Sequence, residues 1–446
     1  MEQQHMFTNR MIRNLLVPVV LEQILNSIMG TADTMMVSNV GSAALSAVSL
    51  VDSINVLLIQ AFSALAAGGA IVCAQYIGQR NYEKANMSAR QVLFIITAIS
   101  VVVSAVCLIF QKPLLRLIFG AVDADVMRAS ETYFFFTALS FPFIAAYDSA
   151  ASIFRAQENT KGPMTISMIS NIMNIGGNAI LIWVFHLGVA GAAISTLVSR
   201  IFCAVVVLWQ LRKDRQPVVV KDYLKIRPDW SMIGRILGLG IPSGIENSMF
   251  QLGKLAIQST VSTLGTAAIA AQAMTNILEN LNGIAAIGVG VGLMTIVGQC
   301  LGAGRKDEAV YYIKKLCVIA EAVIIVSCLS VYALVRPVTI LGGMESTSAE
   351  MCIHMMTWIT IVKPVVWTMA FVPGYGLRAA GDVKFSMITS CCTMWACRFC
   401  LCVFLIRVLG FGPMGVWIGM FADWTVRGII FTWRFHSRKW LEHKVI

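Results

Sequence analysis

Charge is what this chain has least of. Asp, Glu, Lys and Arg make up 13% of its 446 residues, against about 25% in soluble domains. With a mean hydropathy of +0.75, most of the chain belongs in a membrane rather than in a water-soluble fold. Acid is the scarcer sign, 23 residues against 34 basic ones, for a formal net charge of +11. Histidine is rarer still. His5, His186, His354, His436 and His443 stand isolated, so no Ser/His, His/Asp or metal-ligand constellation argues for an integral-membrane enzyme. The 12 cysteines are scattered singly through apolar segments. Cys391-Cys392 and Cys397-x-x-Cys400 have no His or carboxylate beside them and read as small apolar fillers. Residues 1–15 lack an Ala-x-Ala-like cleavage site, so no cleaved signal peptide is expected.

What the chain does have is long apolar runs. They fall near 12–37, 48–76, 92–111, 130–154, 163–185, 189–210, 232–260, 268–300, 316–335, 352–377, 386–406 and 414–433. Each has about the 20 residues that a helix needs to cross a bilayer, so the expected fold is an all-α polytopic membrane protein of twelve spans. Sorting Lys and Arg by loop places 24 of the 34 on one side, from Arg10 and Arg13 through the 211–230 stretch to Lys444. Five (Lys112, Arg116, Arg128, Arg336 and Arg407) lie on the other side, and five lie within spans. Positive charge collects on the cytoplasmic face, so both termini are expected in the cytoplasm of a cell that carries this protein in its plasma membrane. The basic excess is accounted for by topology, and nucleic acid is not an expected partner.

The chain is also a duplication. Sliding it against itself so that Pro18 falls on Pro242 brings Glu22 onto Glu246, Gly41 onto Gly265, Gln75 onto Gln299 and Pro113 onto Pro337. The same offset brings Gly188 and Gly191 onto Gly412 and Gly415. Matches at one offset along most of the chain define a repeated six-span unit. Six is even, so the two copies run parallel, as an N-terminal lobe (1–210) and a C-terminal lobe (231–446). A basic cytoplasmic linker (211–230) joins them, and a central cavity is expected where they meet. Recurrent glycines such as Gly234-x3-Gly238 and Gly240-x3-Gly244 read as helix-packing faces. Gly288-x-Gly290-x-Gly292 has neither a preceding strand nor a Gly-Lys-Ser/Thr and is no phosphate loop.

Positions where the copies differ are candidates for chemistry. Asp33, in the first span, falls on Ile257 in the second copy. The fold therefore does not demand a carboxylate there, and an ionisable group at membrane depth is functional by default. Asn174 and Asn178 lie i and i+4 on one face of span five, with counterparts near Arg398 and Cys402, and Thr196 falls on Met420. All four sit in the outer half of the expected bilayer. One carboxylate, two amides and a hydroxyl are hard oxygen ligands. They suit a monovalent cation, or a proton on a buried aspartate, or a polar cluster that only ties three helices together.

The stretches TADTMMVSNVGSAALSAVSL (31–50), NIGGNAILIWVFHLGVAGAAIST (174–196) and GVGLMTIVGQCLGAGRKDEAV (290–310) resemble the MATE transporters, the multidrug and toxic compound extrusion family. The twelve spans and the parallel repeat agree with that resemblance over essentially the whole chain. It implies a secondary antiporter exporting organic, often cationic amphipathic drug-like compounds against inward Na⁺ or H⁺, with no other cofactor and as a monomer in lipid. It also implies a cation site at Asp33, Asn174, Asn178 and Thr196. Some branches carry a second carboxylate where this chain has Asn178, which leaves one acid here. Another branch uses an acid in span seven, where the matching position is nearer Gln251 than Glu246.

Among the other intramembrane charges, Asp423 and Arg427 are spaced to pair at i,i+4. Pro18, Glu22 and Glu246 are candidates for coupling or gating. Gln251, Glu279 and Asp148 are candidates for the cavity lining, alongside Asp52, Arg200, Lys254, Lys363 and Arg398. A rival reading within the same superfamily is a lipid-linked oligosaccharide flippase, which favours a longer chain with extra spans. The topology is directly testable. A fluorescent protein fused after Ile446 is expected to fluoresce and an alkaline phosphatase fused there to stay inactive; an active phosphatase would invert the assignment.

Overall fold

The computed structural model describes residues 5–446, and helix is the only regular structure among them. In chain order the helices begin with α1 (Asn9–Ser38), α2 (Ser42–Gly78), α3 (Tyr82–Ile109), α4 (Gln111–Phe119), α5 (Ala124–Leu139) and α6 (Phe141–Ala156). α7 (Lys161–Asn178) continues as a π-helical stretch (Ala179–Val184) and is followed by α8 (Val189–Leu211). The second half holds α9 (Trp230–Val261), α10 (Thr266–Gly302), α11 (Lys306–Leu341) and α12 (Ser346–Ala379). α13 (Val383–Thr393), a π-helical stretch (Met394–Cys400) and α14 (Leu401–Arg407) make one rod, and α15 (Met414–His436) closes the series.

Among the described residues nine of these rods are long and apolar enough to cross a membrane, and the pair α5 and α6, bent by 42°, makes a tenth. Two more expected spans, α9 and α15, are full helices diluted by charge: Arg235, Glu246 and Lys254 in one, Asp423, Arg427 and Arg434 in the other. Every apolar run read from the sequence thus has its helix. Both α1 and α9 continue through their prolines, Pro18 and Pro242, as single helices.

The chain packs into two compact units whose limits fall inside α1 and α9 rather than at the linker: Leu25–Gly244, and Ile245–Val445 with the described residues up to Ile24. The front of α1 therefore packs with the second half of the chain, and the front of α9 with the first. Glycine makes this possible. A β-carbon on Gly68 of α2 would lie 2.7 Å from the backbone nitrogen of Gly240 in α9, so these helices touch backbone to backbone. At the repeat-matched positions, Gly292 for Gly68 and Leu16 for Gly240, α10 meets α1. There a β-carbon on Gly292 would strike Leu16, and one on Gly288 would lie 2.9 Å from Cα of Val20. The expected packing face of α9 is only half occupied. Gly240 is in contact, whereas Gly234 and Gly238 have open space around them. The repeat extends to the turns, where the matched glycines Gly188 and Gly412 adopt φ of +61° and +66°, a backbone that residues with a β-carbon rarely accept.

The linker is held on the Leu25–Gly244 unit. Val218 and Val220 are fully buried. Val218 N donates to Gln157 Oε1 at 2.9 Å, Val219 N to Asn86 Oδ1 at 2.9 Å, and Gln91 Nε2 to the Arg227 carbonyl at 2.8 Å. Tyr223 donates to the Leu208 carbonyl at 2.6 Å, and burial pushes its phenol up to about 12. A segment that reads as a tether is, along much of its length, part of the unit.

In the Ile245–Val445 unit the intramembrane charges are nearly all matched. Glu246 accepts from Arg378 Nη2 at 2.8 Å and from Ser386 Oγ at 3.3 Å. Lys363 Nζ donates to Glu279 Oε1 at 2.6 Å and Asn282 Oδ1 at 2.5 Å. Asp423 pairs with Arg427 at 2.9 Å as its spacing predicts, and also with Arg398 at 2.7 Å. The α2–α9 crossing yields a stability test. Gly68→Ala is expected to cost about 1–3 kcal/mol through backbone displacement and to lower the thermal midpoint of the detergent-solubilised protein. Gly234→Ala, in open space, should leave it unchanged; equal midpoints for the two variants would remove the close contact.

Candidate cation site in the Leu25–Gly244 unit

The first-half residues singled out by broken symmetry converge. α1 carries Asp33 near its end, the last turn of α7 carries Asn174 and Asn178, and α8 carries Thr196. Asn178 Nδ2 donates to Asp33 Oδ1, and also to Asn174 Oδ1 at 3.3 Å. Asn174 Nδ2 donates in turn to Thr196 Oγ1 at 3.3 Å. Asn178 is fully buried, whereas Asp33, Asn174 and Thr196 are half-buried. The chain Asp33–Asn178–Asn174–Thr196 thus runs from the accessible end of one helix through a buried amide to another.

Local sequence explains why α7 and α8 come close enough. Gly177 faces Ser195, where a β-carbon would come within 3.2 Å of the serine Cβ, and Ser195 Oγ donates to the Asn174 carbonyl at 2.8 Å. Gly191 of α8 sits just as tightly against Leu181. Directly after Asn178 the helix widens into its π-helical stretch, a distortion common beside functional sites. The Gly176-Gly177 pair inside an apolar span was the available signal for this close approach.

The hydrogen bonds leave one vacancy of valence. Both hydrogens of the Asn178 amide point at acceptors, so its Oδ1 faces away from them. Among the described residues this oxygen is buried with no donor. An unsatisfied buried carbonyl is costly, and a cation that took the place of the amide hydrogen at Asp33, with the Asn178 amide turned over, would satisfy it. Asp33, Asn178 and Thr196 therefore offer oxygens, one of them charged, to a hard monovalent ion.

A second polar cluster lies in the same unit. Asp52 accepts from Tyr133 at 3.1 Å and from Asn55 at 3.3 Å, and Asp148 accepts from Ser63 at 2.6 Å. Arg200 donates to Ser140 Oγ at 2.6 Å and lies within electrostatic reach of Asp33, Asp52 and Asp148. Tyr133 and Ser140 were not singled out in the sequence, because a lone hydroxyl in an apolar run carries no pattern.

The remaining candidates do not join this site. Pro18 and Glu22, both buried, belong to the front of α1 and pack with the other unit, as does Glu246 in its tie to Arg378. Gln251 and Glu279 are half-buried in that unit, and Glu279 is engaged by Lys363. Asp148 is in the Leu25–Gly244 unit, hydrogen-bonded to Ser63 rather than to Asp33.

Comparison with known proteins agrees with this architecture. The MatE family model matches residues 18–180 and again 242–404, the second match reproducing the first at the offset that sets Pro18 on Pro242. An uncharacterized transporter of Bacillus subtilis, YisQ, is 27% identical over 95% of this chain and 93% of its own length. A probable multidrug resistance protein, NorM of Thermotoga maritima, is 23% identical over 97% and 93%. Among solved structures, a MOP superfamily transporter from Pyrococcus furiosus superposes with a TM-score of 0.88 at 18% identity, covering 98% of this chain and 97% of that one. Its binding pocket is described as reversed in polarity, suggesting a different function for that protein. Two family matches at the repeat offset, on an all-helical fold built from one duplicated unit, make this chain a multi-pass membrane transporter of the MatE family.

Proposed function

We propose that this protein is a secondary antiporter that exports organic amphipathic compounds, positively charged ones included, in exchange for inward Na⁺ or H⁺ bound at Asp33. The observation that carries the reading is the buried, donorless Oδ1 of Asn178, on the same amide whose Nδ2 holds the Asp33 carboxylate. A polar cluster serving only to tie helices would close its own hydrogen bonds, whereas this one keeps an acceptor for a cation. Relatives named as multidrug resistance proteins supply the substrate class. They favour extrusion over the flipping of lipid-linked oligosaccharides.

In this cycle the ion enters from the outer face, replaces the amide hydrogen at Asp33 and changes how the end of α1 packs against α7. Substrate leaves outward, and the protein reopens inward as a monomer in the plasma membrane, with both termini in the cytoplasm. Pro18 on the same helix, with Glu22 and Glu246 one turn past the matched prolines, would carry the change of packing along α1 and α9. A ligand shifts such an equilibrium only by its differential affinity for the two states, which here comes from whether Asp33 and Asn178 face one another.

The test is ethidium efflux from proteoliposomes under an imposed Na⁺ gradient and, separately, an imposed pH gradient. One gradient should drive efflux in the wild type and thereby name the ion. Asp33→Asn should reduce that efflux to the level of protein-free vesicles while the protein still elutes as a monodisperse species. Undiminished gradient-driven efflux in Asp33→Asn would overturn the assignment.

A further inference from the structure

We infer that the Ile245–Val445 unit holds a binding subsite for an anionic group carried on an apolar molecule, formed by Lys254, Arg398 and Arg427 around Phe250. The guanidinium of Arg398 lies 4.8 Å from the centre of the Phe250 ring, that of Arg427 6.0 Å, and the ammonium of Lys254 4.9 Å. Three cations therefore share one aromatic ring. Asp423 bridges the two arginines, and the neighbouring Lys363 is matched by Glu279. Four cations, on four different helical rods, against two carboxylates leave two positive charges in excess.

Lys254 is the uncompensated one. Among the described residues it makes no ion pair and no hydrogen bond; its ring contact is with Phe250, and the acid within its electrostatic reach, Glu279, is already paired with Lys363. It is exposed, whereas Arg398 and Arg427 are buried. The surrounding hydrogen-bond balance tilts the same way. Arg398 Nε, Trp395 Nε1, Trp424 Nε1 and Asn282 Nδ2 are buried donors without a partner among the described residues. A purely structural Arg–Asp–Arg tie accounts for Asp423 and its two partners but not for a third cation or for spare donors. What the cluster lacks is an acceptor with negative charge.

The duplication sharpens the point. The repeat offset sets Arg398 where the first half has Asn174, and Lys254 where it has Gly30, one turn before Ile257, the counterpart of Asp33. Spans that present a carboxylate and amide oxygens in one half present an ammonium and a guanidinium in the other. Corresponding spans thus differ in polarity between the two units, although the charges stand at neighbouring rather than identical positions. The exposed apolar side chains beside Lys254 on the same helix, Leu252 and Leu255, suit a molecule whose anionic end reaches Lys254 while its apolar body lies along the helix. An organic carboxylate and the phosphate of a lipid headgroup share that chemistry. The inference is independent of the ion coupling proposed above, since the site needs neither Asp33 nor transport.

The experiment is equilibrium binding of 1-pyrenebutyrate, followed by its fluorescence, to the purified full chain in an uncharged detergent. 1-Pyrenebutanol serves as the same body without the charge. The carboxylate is expected to bind about tenfold tighter than the alcohol, the effect of one charge-assisted contact. Lys254→Gln should abolish that difference, Lys254→Arg should restore it, and Asp33→Asn should leave it intact. Lys254 makes no ion pair to lose, so the variants should keep the wild-type thermal midpoint, which is measured alongside. Displacement of the probe by a short-chain phosphatidate but not by the corresponding phosphatidylcholine would support the site with lipid phosphate as an occupant. Carboxylate-selective binding without that displacement would support it with an organic carboxylate. Equal affinity for the acid and the alcohol, or an unchanged preference in folded Lys254→Gln, would overturn it.

Discussion

An ionised side chain inside a bilayer must be neutralised by a partner, a bound ion or a ligand, and most of this protein's polar architecture follows from that cost. In the Ile245–Val445 unit the answer is mainly pairing: Glu246 with Arg378, Lys363 with Glu279, and Asp423 with two arginines at once. In the Leu25–Gly244 unit acids outnumber the available cation. Asp33, Asp52 and Asp148 share the reach of Arg200; Asp33 and Asp52 also accept from amides and a phenol, and Asp148 accepts from Ser63. A group solvated by neutral donors keeps the capacity to take a cation, whereas one locked in a short ion pair has lost it. That difference separates Asp33, the half-buried proposed ion ligand, from Asp423, a fully buried structural centre.

The duplicated scaffold makes such specialisation possible. Glycine at the α2–α9 and α10–α1 crossings lets corresponding helices approach in the same manner in both halves, and matched glycines shape corresponding turns. Once packing is secured by small residues and backbone contact, side chains at equivalent depths are free to diverge. Asp33 corresponds to Ile257 across the repeat, Asn174 to Arg398, and Gly30 to Lys254. One fold thereby supports a site rich in acceptors and another rich in donors. Similarity of fold to solved transporters accordingly carries no statement about substrate charge.

Much of this is legible in the sequence. Every apolar run became a helix because length and hydropathy decide membrane insertion almost independently of tertiary context. Asp33, Asn174, Asn178 and Thr196 stood out because a repeat supplies its own comparison. The i,i+4 pairing of Asp423 with Arg427 was visible because it is local to one helix. Its second bridge, to Arg398, was not, since that arginine sits on a different rod, in the π-helical stretch between α13 and α14. The Gly234 and Gly238 pair looked like a packing face and is not one, because glycine spacing does not say which side of a helix meets a neighbour.

The sequence by itself determined the twelve apolar spans, the duplicated unit with its constant offset, and which first-half residues break the symmetry. These are properties of composition and period, written along one strand of chain. Tertiary structure alone decided that the compact units divide within α1 and α9, that the linker is pinned by Gln157, Asn86 and Gln91, and that Glu246 and Glu279 are bound to bases. It alone decided that Asn178 holds Asp33 with an oxygen to spare while Lys254 makes no ion pair among the described residues. The reason is physical: the partner of a buried polar group is set by which helix faces meet, and contacts between residues far apart along the chain leave no periodic trace in it.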